Sequence, residues 1–371
     1  MTTKSVDAIV VGGGIFGAAT AYYLSRYLDS ILLIERDSIA AHASGWAFGG
    51  LSPCSGAGIP GPMEELAFYS FTLHRQLMTE FDSSTLKKVN YQEVESLNIA
   101  FTNNEVVQNQ QHIPWINSKP GFHARVLSAE ELRLREPRIN ESICGGTLIS
   151  GSLQVDSKTL TNALVNASGC QVHQANCRRI DHSEGKVLGI TTAGGDSFSA
   201  KYVILATGPW LPSTAGVLAP DSTYPLKGQI LRLQCQGPPI TYSIGWGGNY
   251  TCSKLDGLVH TGTTEEVAGF NRETTSRGIQ KILRNTRYLL PKLQIDRVVK
   301  QTACLRPMSR DGHVIVGEHP NIKNLYIGSG GGRKGILYGP GIGKSIVDLI
   351  ENGIADVDLN TLNPKRFGSP S

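Results

Sequence analysis

The chain has 371 residues, of which 40% are hydrophobic and 18% are charged, and its formal net charge at pH 7 is +4. This composition is typical of soluble globular enzymes, and the length predicts two lobes because one simple core would be too small. No basic run interleaved with aromatic residues is present, which excludes a nucleic-acid partner of the usual kind, and no run approaches the roughly 18 apolar residues of a membrane span.

The first 35 residues have the pattern of a βαβ unit. A β-rich run over residues 6–11 meets three consecutive glycines, and residues 15–27 then have the pattern of a helix. Residues 30–34 form a second apolar run that ends at Glu35. About thirty residues is the length expected for such a crossover unit.

The glycines of this unit have the spacing Gly12-x-Gly14-x-x-Gly17. Gly12 permits the tight turn, Gly14 lets the backbone approach a pyrophosphate, and Gly17 lets helix and strand pack closely. The helix N-terminus offers free N–H groups to the phosphates. Glu35 can accept hydrogen bonds from ribose hydroxyls and would repel a 2′-phosphate, which argues against NADP. The motif predicts dinucleotide binding but does not separate NAD from FAD.

Farther along, helix candidates alternate with short strands. Helices are predicted over residues 64–81, 128–135, 156–167, 272–290 and 341–350. Ser128, with Glu131 three residues later, has the form of a capping box. Short strands over residues 172–173, 178–180, 187–191 and 197–199 have the pattern of an antiparallel meander, and apolar strands are predicted over 202–206 and 325–327. Residues 40–62 are predicted to be a loop. No internal repeat is visible, so we expect the two lobes to be interleaved in sequence.

Three further segments favour a flavin over a nicotinamide. The strand that ends in Ala206-Thr207-Gly208 has the form of a second nucleotide-contacting segment, and Ala43-Ser44-Gly45 offers small residues that can wrap a pyrophosphate. Residues 328–335 form a glycine-rich loop that leads into the helix expected from Gly341. A reduced flavin carries negative charge near N1 and O2, which loop amides and a helix N-terminus would stabilise.

These segments resemble the D-amino-acid oxidase superfamily of FAD-dependent oxidoreductases, and most closely its glycine oxidase and sarcosine oxidase-like branches. The resemblance extends over essentially the whole chain and rests on Ile9–Gly17, Glu35, Ala43–Gly50, Tyr202–Pro209, Leu305–Pro307 with Asp311–Gly312, and Gly330–Leu337. It implies a two-lobe fold of the α/β (α+β) class. A glutathione-reductase-type, Rossmann-like FAD-binding domain would comprise residues 1–85, 146–217 and 301–371. A substrate-binding domain with an antiparallel sheet would comprise residues 86–145 and 218–300.

The resemblance also implies roles for individual residues. Arg306 would lie over the flavin and clamp a substrate carboxylate with its planar guanidinium, and Tyr250 would help to hold that carboxylate. Arg333 would lie in the C-terminal loop near the flavin. The residues expected to bind FAD are Gly12, Gly14, Ile15, Phe16, Gly17, Glu35, Arg36, Ala43, Ser44, Gly45, Phe48, Gly49, Gly50, Cys177, Thr207, Gly208, Cys304, Gly331, Gly332, Arg333, Lys334, Gly335, Ile336 and Leu337.

The chemistry implied is oxidation of the C–N bond of a small amine or amino acid. Hydride transfer from the α-carbon to flavin N5 would leave an imine, which water hydrolyses to an oxo acid and ammonia or an amine. No catalytic base is assigned, and His74, His260 and His313 are expected to be polar surface or satisfied core residues. Three alternatives remain: a dehydrogenase that uses an acceptor other than oxygen, an NAD-dependent dehydrogenase, and an accessory or biosynthetic flavoprotein that acts on a specialised metabolite or peptide.

The seven cysteines form no CxxC pair and no zinc-like spacing with histidines, which predicts reduced thiols in a cytoplasmic protein and no metal site. Cys304 directly precedes Leu305-Arg306-Pro307. Monomeric sarcosine oxidases carry at this place the cysteine that attaches covalently to the flavin, whereas an inert buried thiol is the ordinary alternative. The sequence leaves the substrate, the electron acceptor and the oligomeric state open, a homo-oligomer included.

Overall fold

A computed structural model describes residues 4–213 and 218–368. The chain divides into two compact units. The first comprises residues 1–89, 155–226 and 305–371, and the second comprises residues 90–154 and 227–304. The bounds expected from the sequence (85, 146, 217 and 301) lie four to nine residues before the observed ones (89, 155, 226 and 305). Strand β6 (Gly145–Gln154) therefore belongs wholly to the second unit.

The described residues contain the following elements. The strands are β1 (Lys4–Val11), β2 (Ile31–Glu35), β3 (Gly50–Leu51), β4 (Gln92–Ala100), β5 (His123–Ser128), β6 (Gly145–Gln154), β7 (Gln171–Gln174), β8 (Cys177–Ser183), β9 (Lys186–Thr192), β10 (Ser197–Leu205), β11 (Thr223–Cys235), β12 (Ser243–Trp246), β13 (Asn249–Ser253), β14 (Val259–Gly262), β15 (Ile295–Ser309), β16 (Ile315–Glu318) and β17 (Leu325–Ser329). The helices are α1 (Ile15–Leu24), α2 (Ala43–Trp46), α3 (Glu64–Glu80), α4 (Ser83–Val89), α5 (Asn103–Gln110), α6 (Ile113–Asn117), α7 (Ala129–Arg135), α8 (Ser157–Ser168), α9 (Ser276–Leu289) and α10 (Gly335–Asn352). Short 3₁₀ turns cover Gly208–Trp210, Gly332–Lys334, Asn360–Leu362 and Pro364–Phe367.

The first unit is built on a sheet with the strand order β16-β17-β10-β1-β2-β7, and β9 and β8 extend it from β10. The pairs from β17 to β7 are all parallel, with Val11 opposite both Leu205 and Ile34. Strand β2 is buried along its whole length, as expected for a parallel strand covered on both faces. Because the strands are parallel, the segments that follow β1, β2, β10 and β17 all emerge at one edge of the sheet. Ligands bind at this carboxyl edge in open α/β sheets.

The second unit contains a sheet with the strand order β15-β11-β14-β13-β12-β4-β6, and β5 pairs with β6. Its pairs β11–β14, β13–β14, β12–β13, β4–β6 and β5–β6 are antiparallel, as expected, but β12 and β4 are parallel. Apolar side chains of the sheet, among them Leu97, Leu231 and Ile244, pack with Ile282 and Leu289 of α9 to form its core. The predicted capping box is present at α7, since the side chains and N–H groups of Ser128 and Glu131 bond reciprocally.

Several predicted elements differ from the structure. Residues 172–173 lie in β7, which pairs in parallel with β2 and is not part of an antiparallel meander. Two separate strands were predicted over residues 197–199 and 202–206, yet residues 197–205 form the single strand β10. Two neighbours explain this continuity, since residues 197–199 pair with β9 and residues 198–205 pair with β1. None of the described helices is long and apolar enough to cross a membrane.

Two helix starts were also wrong. Helix α9 begins at Ser276, four residues after the predicted start, because the Thr275 side chain accepts a hydrogen bond from the Gly278 N–H group and caps the helix there. Helix α10 begins at Gly335, six residues before the predicted start, and it continues through Pro340. Glycine and proline inside a helix are unfavourable by propensity, so contacts from elsewhere in the fold must compensate for them.

Candidate FAD and substrate site

The first glycine motif brings β1, α1 and the end of β10 into direct contact. Gly12 has φ of +112°, and a β-carbon there would lie 2.4 Å from the Ala206 carbonyl oxygen. A β-carbon at Gly17 would lie 1.9 Å from the carbonyl oxygen of Gly12. Only glycine therefore fits at these two positions, and the motif places the N-terminus of α1 directly over the carboxyl edge of the sheet.

The carboxylate of Glu35 is fixed at the end of β2 by two backbone donors. The N–H group of Gly13 donates to its Oε2 at 2.6 Å, and the N–H group of Asp37 donates to its Oε1 at 2.9 Å. Each carboxylate oxygen can accept a further hydrogen bond. Glu35 is thus held beside the glycine turn with acceptor capacity left for a ligand hydroxyl.

Ser44 lies against the N-terminus of α1. Its Oγ accepts a hydrogen bond from the Ile15 N–H group at 2.9 Å, and a β-carbon at Gly14 would lie 3.2 Å from the same oxygen. A β-carbon at Gly45 would collide with the carbonyl oxygen of Ala40, so the small residues of α2 allow this segment to turn tightly. The hydroxyl hydrogen of Ser44 can then donate to a phosphate oxygen at the helix N-terminus.

The segment after β10 carries a buried polar atom without a partner. Among the described residues, Thr207 Oγ1 is buried and has no hydrogen-bond partner. Gly208 follows with φ of +57°, and its carbonyl oxygen accepts a hydrogen bond from Ser329 Oγ at 2.9 Å. A buried hydroxyl without a partner fits a site for a bound polar group, such as the pyrophosphate or ribityl chain of FAD.

The C-terminal glycine loop lies between α1 and the segment that follows Arg306. A β-carbon at Gly331 would lie 2.7 Å from Phe16 Cζ, and one at Gly332 would lie 3.4 Å from Met308 Sδ. A β-carbon at Gly208 would lie 4.0 Å from Pro307 Cβ. The predicted flavin segments and the strand that carries Arg306 are therefore adjacent within the first unit.

Lys334 connects this loop to the segment after β3. Its Nζ donates to the Ser52 carbonyl oxygen at 2.5 Å and to Ser55 Oγ at 3.1 Å. Burial of the ammonium group lowers the pKa of Lys334 to about 8. At the next position, Gly335, an added β-carbon would meet nothing within 4 Å. The start of α10 thus faces open space, which a flavin ring can occupy.

A second cluster lies beyond Glu35 and was not predicted. The Arg36 guanidinium stacks over the ring of Trp210 at 3.9 Å, and the His42 ring lies 4.8 Å from the same indole. A hydrogen bond from His42 at 2.6 Å holds the pKa of Asp37 below its usual value. The ligand atoms of Glu35, Asp37 and His42 lie within 4.8 Å of one another, and the hydrogen bonds above account for that cluster. The feature of the sequence that could have indicated this cluster is Trp210, two residues after Gly208.

The residues predicted to contact substrate lie in both units. Arg306 is half-buried in β15 within the first unit. Its neighbour Leu305 is fully buried, and Pro307 is half-buried. Tyr250 is half-buried in β13 of the second unit, where its hydroxyl would lie 3.3 Å from a β-carbon at Gly262. Arg333 is exposed in the 3₁₀ turn before α10, and Cys304 is buried in β15. The roles of these residues remain predictions.

Cys177 and His74 are both buried. Cys177 packs among apolar side chains of the first unit's core, and this burial raises the pKa of its thiol to about 11. His74, expected to be either a polar surface or a satisfied core residue, is fully buried in α3 with its Nε2 facing carbonyl oxygens of α10. Nothing in the local sequence distinguishes this histidine from a surface one.

A family model described as FAD dependent oxidoreductase (DAO) matches residues 7–349. The chain belongs to this family. It is therefore an FAD-dependent oxidoreductase, which confirms the expected fold class, the enzyme class and FAD in preference to NAD. The residues at the carboxyl edge fit that cofactor, because they combine the N-terminus of α1, the fixed carboxylate of Glu35 and the buried hydroxyl of Thr207.

The relatives are consistent with this family. The chain is 28% identical over 365 residues to a glycine oxidase of Geobacillus kaustophilus and 27% identical over 362 residues to one of Bacillus subtilis. The first match covers 96% of this chain and 96% of its relative, and the second covers 94% of each. The solved structure of the Geobacillus glycine oxidase superposes with a TM-score of 0.90 at 25% identity and covers 98% of this chain and 99% of that one. An L-proline dehydrogenase from P. horikoshii shares the fold, with a TM-score of 0.86 at 17% identity.

Proposed function

We propose that the protein oxidises the C–N bond of a small amino acid or amine. The substrate would be of the glycine, D-amino acid or N-methyl amino acid type, and the product an imine that water hydrolyses to an oxo acid. One observation carries the proposal: the strand that holds Arg306 lies directly beside Gly208 and the loop of Gly331 and Gly332. The similarity to glycine oxidases supports the same substrate class.

The cofactor would be held along the carboxyl edge. The N–H groups at the start of α1 and the hydroxyl of Ser44 would bind the pyrophosphate, and Glu35 would accept from the adenosine ribose. Thr207 would supply the hydroxyl that now lacks a partner. The turn from Gly331 to Leu337 would lie against the flavin ring, where the start of α10 faces open space.

The protein's part in the reaction is to bind and orient the substrate. The flavin that these residues would hold would supply, at N5, the acceptor for a hydride from the substrate α-carbon. Arg306 would hold the carboxylate with two parallel hydrogen bonds. Fixing the carboxylate in this way aligns the α-carbon with its acceptor, which lowers the entropic part of the barrier. No side chain is assigned as a base, since the neutral amine itself favours hydride loss.

The test is a screen of amines and amino acids for bleaching of the protein's yellow colour without oxygen. Rapid bleaching by small amino acids, and slow bleaching by amines of the same size without a carboxylate, is the expected result. Repeating the reaction with oxygen or with a quinone then identifies the electron acceptor. If no small amine bleaches the flavin, the protein is an accessory or biosynthetic flavoprotein and the proposal fails.

Arg306 is tested with the variants Arg306→Met and Arg306→Lys. Losing a charge-assisted bidentate contact costs on the order of 2–5 kcal/mol, so we expect Arg306→Met to lower kcat/KM for carboxylate substrates by a factor of about 30 or more. Arg306→Lys keeps the charge but loses the planar guanidinium, so its kcat/KM should lie between those of Arg306→Met and the original protein. The matched control is Arg310→Met, because Arg310 is an exposed arginine paired with Asp221 at 2.7 Å. Unchanged kinetics in Arg306→Met would remove this residue from the pocket.

A further inference from the structure

Helix α10 contains a proline in its second turn. Pro340 has no N–H group, so the carbonyl oxygen of Ile336, four residues earlier, loses the donor that a regular helix would provide. Ile336 and Leu337 belong to the turn that is predicted to lie against the flavin. A buried carbonyl group without a donor is costly, and the surrounding structure must supply one.

Two side chains of α3 supply the missing donors. His74 Nε2 lies 3.0 Å from the Ile336 carbonyl oxygen and 3.2 Å from that of Leu337. Ser70 Oγ donates to the Leu337 carbonyl oxygen at 2.5 Å and accepts from the Gly341 N–H group at 2.8 Å. The groups that face His74 Nε2 are carbonyl oxygens, so this nitrogen carries the hydrogen. Burial lowers the pKa of His74 to about 4, which keeps the ring neutral near pH 7.

Glycines let α10 approach its neighbours closely enough for these bonds. A β-carbon at Gly341 would lie 2.8 Å from Ser70 Cβ, and one at Gly339 would lie 2.4 Å from Ile15 Cγ1 of α1. The first turns of α10 are therefore held between α3 and α1. Ile15 begins the helix whose N-terminus is expected to bind the pyrophosphate, so α10 packs directly against that helix.

We infer that His74 and Ser70 are positioning residues for the flavin. They hold the carbonyl groups of Ile336 and Leu337, and in doing so they fix the direction of the free N–H groups in the first turn of α10. Those N–H groups stabilise negative charge on the reduced flavin more than the neutral oxidised ring. The inference rests on the predicted contact of Gly335–Leu337 with the flavin and is independent of the substrate.

The test compares His74→Leu, which removes the donor, with His74→Gln, which can place an amide N–H near the position of Nε2. The FAD-bound proteins are titrated with dithionite against a reference dye, so no amine substrate is needed. Because His74→Leu leaves the Ile336 carbonyl oxygen without this donor, we expect the equilibrium to shift about tenfold toward oxidised flavin. His74→Gln should stay within about threefold of the original protein. Ser70→Ala should shift the equilibrium in the same direction as His74→Leu, by a smaller factor.

The control is His319→Leu. His319 is also buried in the first unit, but its Nδ1 accepts from the N–H groups of Asn321 and Ile322, in the turn before β17. We expect this variant to lower the melting temperature without moving the flavin equilibrium. A purely structural role for His74 would give the same pattern in His74→Leu and would overturn the inference. If His74→Leu does not fold, Ser70→Ala decides, and an unchanged equilibrium there also overturns it. Failure of the amine screen would leave this result untouched, so the two proposals can fail separately.

Discussion

At the residue scale, the glycines of the carboxyl edge fall into two kinds. A β-carbon at Gly12 or Gly17 would collide with backbone atoms, whereas one at Gly335 would meet no atom within 4 Å. The first kind is required by the protein's own packing. The second kind faces space that the chain leaves open, where an added side chain would meet no protein atom.

This difference predicts the effect of Gly335→Ala. Gly335 has an ordinary helical φ of −52°, so alanine fits the backbone and improves the helix propensity. We expect the FAD-free protein to melt at the same temperature or slightly higher, while its affinity for FAD falls by a factor of about ten or more, because the methyl group enters the flavin space. Fluorescence titration with FAD and thermal melts measure the two effects. Unchanged FAD affinity would remove Gly335 from the cofactor site.

Cys304 gives a second prediction at this scale. The thiol is buried in β15, two residues before Arg306, and a buried thiol is ordinarily inert. We therefore expect FAD to be bound without a covalent bond. After acid precipitation, the yellow colour should be in the supernatant, and Cys304→Ala should behave in the same way. Colour retained in the pellet, and released by Cys304→Ala, would instead establish a thioether to the flavin.

At the scale of elements, glycines let α1 pack closely against the β1 turn on one side and against α10 on another. Gly17 lets α1 approach the β1 turn, and a β-carbon at Gly343 of α10 would lie 2.7 Å from the backbone of Ala19 and Thr20 in α1. The packing role of Gly17 was predicted from the sequence, whereas that of Gly343 was not. The packing role of a glycine inside an apolar helix cannot be inferred from the local sequence, because it depends on which helix lies against it.

Gly17→Ala tests this packing. The added carbon would lie 1.9 Å from the Gly12 carbonyl oxygen, and a backbone atom cannot move aside as a flexible side chain can. We expect the free energy of unfolding to fall by about 3 kcal/mol or more, measured by urea denaturation with saturating FAD. The control is Gly121→Ala, where an added carbon meets nothing within 4 Å, although its φ of +80° will cost a small amount by itself. Equal losses in the two variants would contradict a steric cause.

At the scale of the whole molecule, the chain enters the first unit three times. Residues 1–89 supply β1 and β2, residues 155–226 supply β7 and β10, and residues 305–371 supply β16 and β17. Each passage ends a strand at the same carboxyl edge, so no single passage forms the FAD site. We expect FAD to co-purify at about one per chain. A correctly folded, colourless protein that ignores added FAD would contradict this.

Burial of His74 also makes the stability of the molecule depend on pH. Its pKa falls from 6.5 to about 4 in the folded protein, so between these values only the unfolded chain takes up the proton. The stabilisation is complete above pH 6.5 and is lost as the pH falls toward 4. We expect His74→Gln to flatten the pH dependence of the free energy of unfolding by about 3 kcal/mol across this interval. Parallel pH profiles for the two proteins would show that folding does not lower the pKa of His74.

The sequence alone predicted the glycine turn and the position of Glu35 beside it. Gly12 to Gly17 and Glu35 lie within one βαβ unit, and the spacing of strand, turn and helix decides their contacts locally. The order of the later segments was equally informative, because parallel strands bring their carboxyl ends to one edge wherever they occur in the chain. Hence Ser44 and Thr207 could be predicted as neighbours of the same site. The register of the strands, and the lack of a hydrogen-bond partner for Thr207 Oγ1, became known only from the structure.

Only the tertiary structure decided where α10 begins. By local propensity, Gly339, Pro340 and Gly341 end a helix, and the prediction therefore started it at Gly341. In the fold, the helix extends back to Gly335, since His74 and Ser70 donate to the carbonyl oxygens of its first turn. Those donors lie more than 260 residues earlier in the chain. A hydrogen bond that offsets a missing N–H group leaves no local trace in the sequence, and it becomes visible only when α3 and α10 pack together.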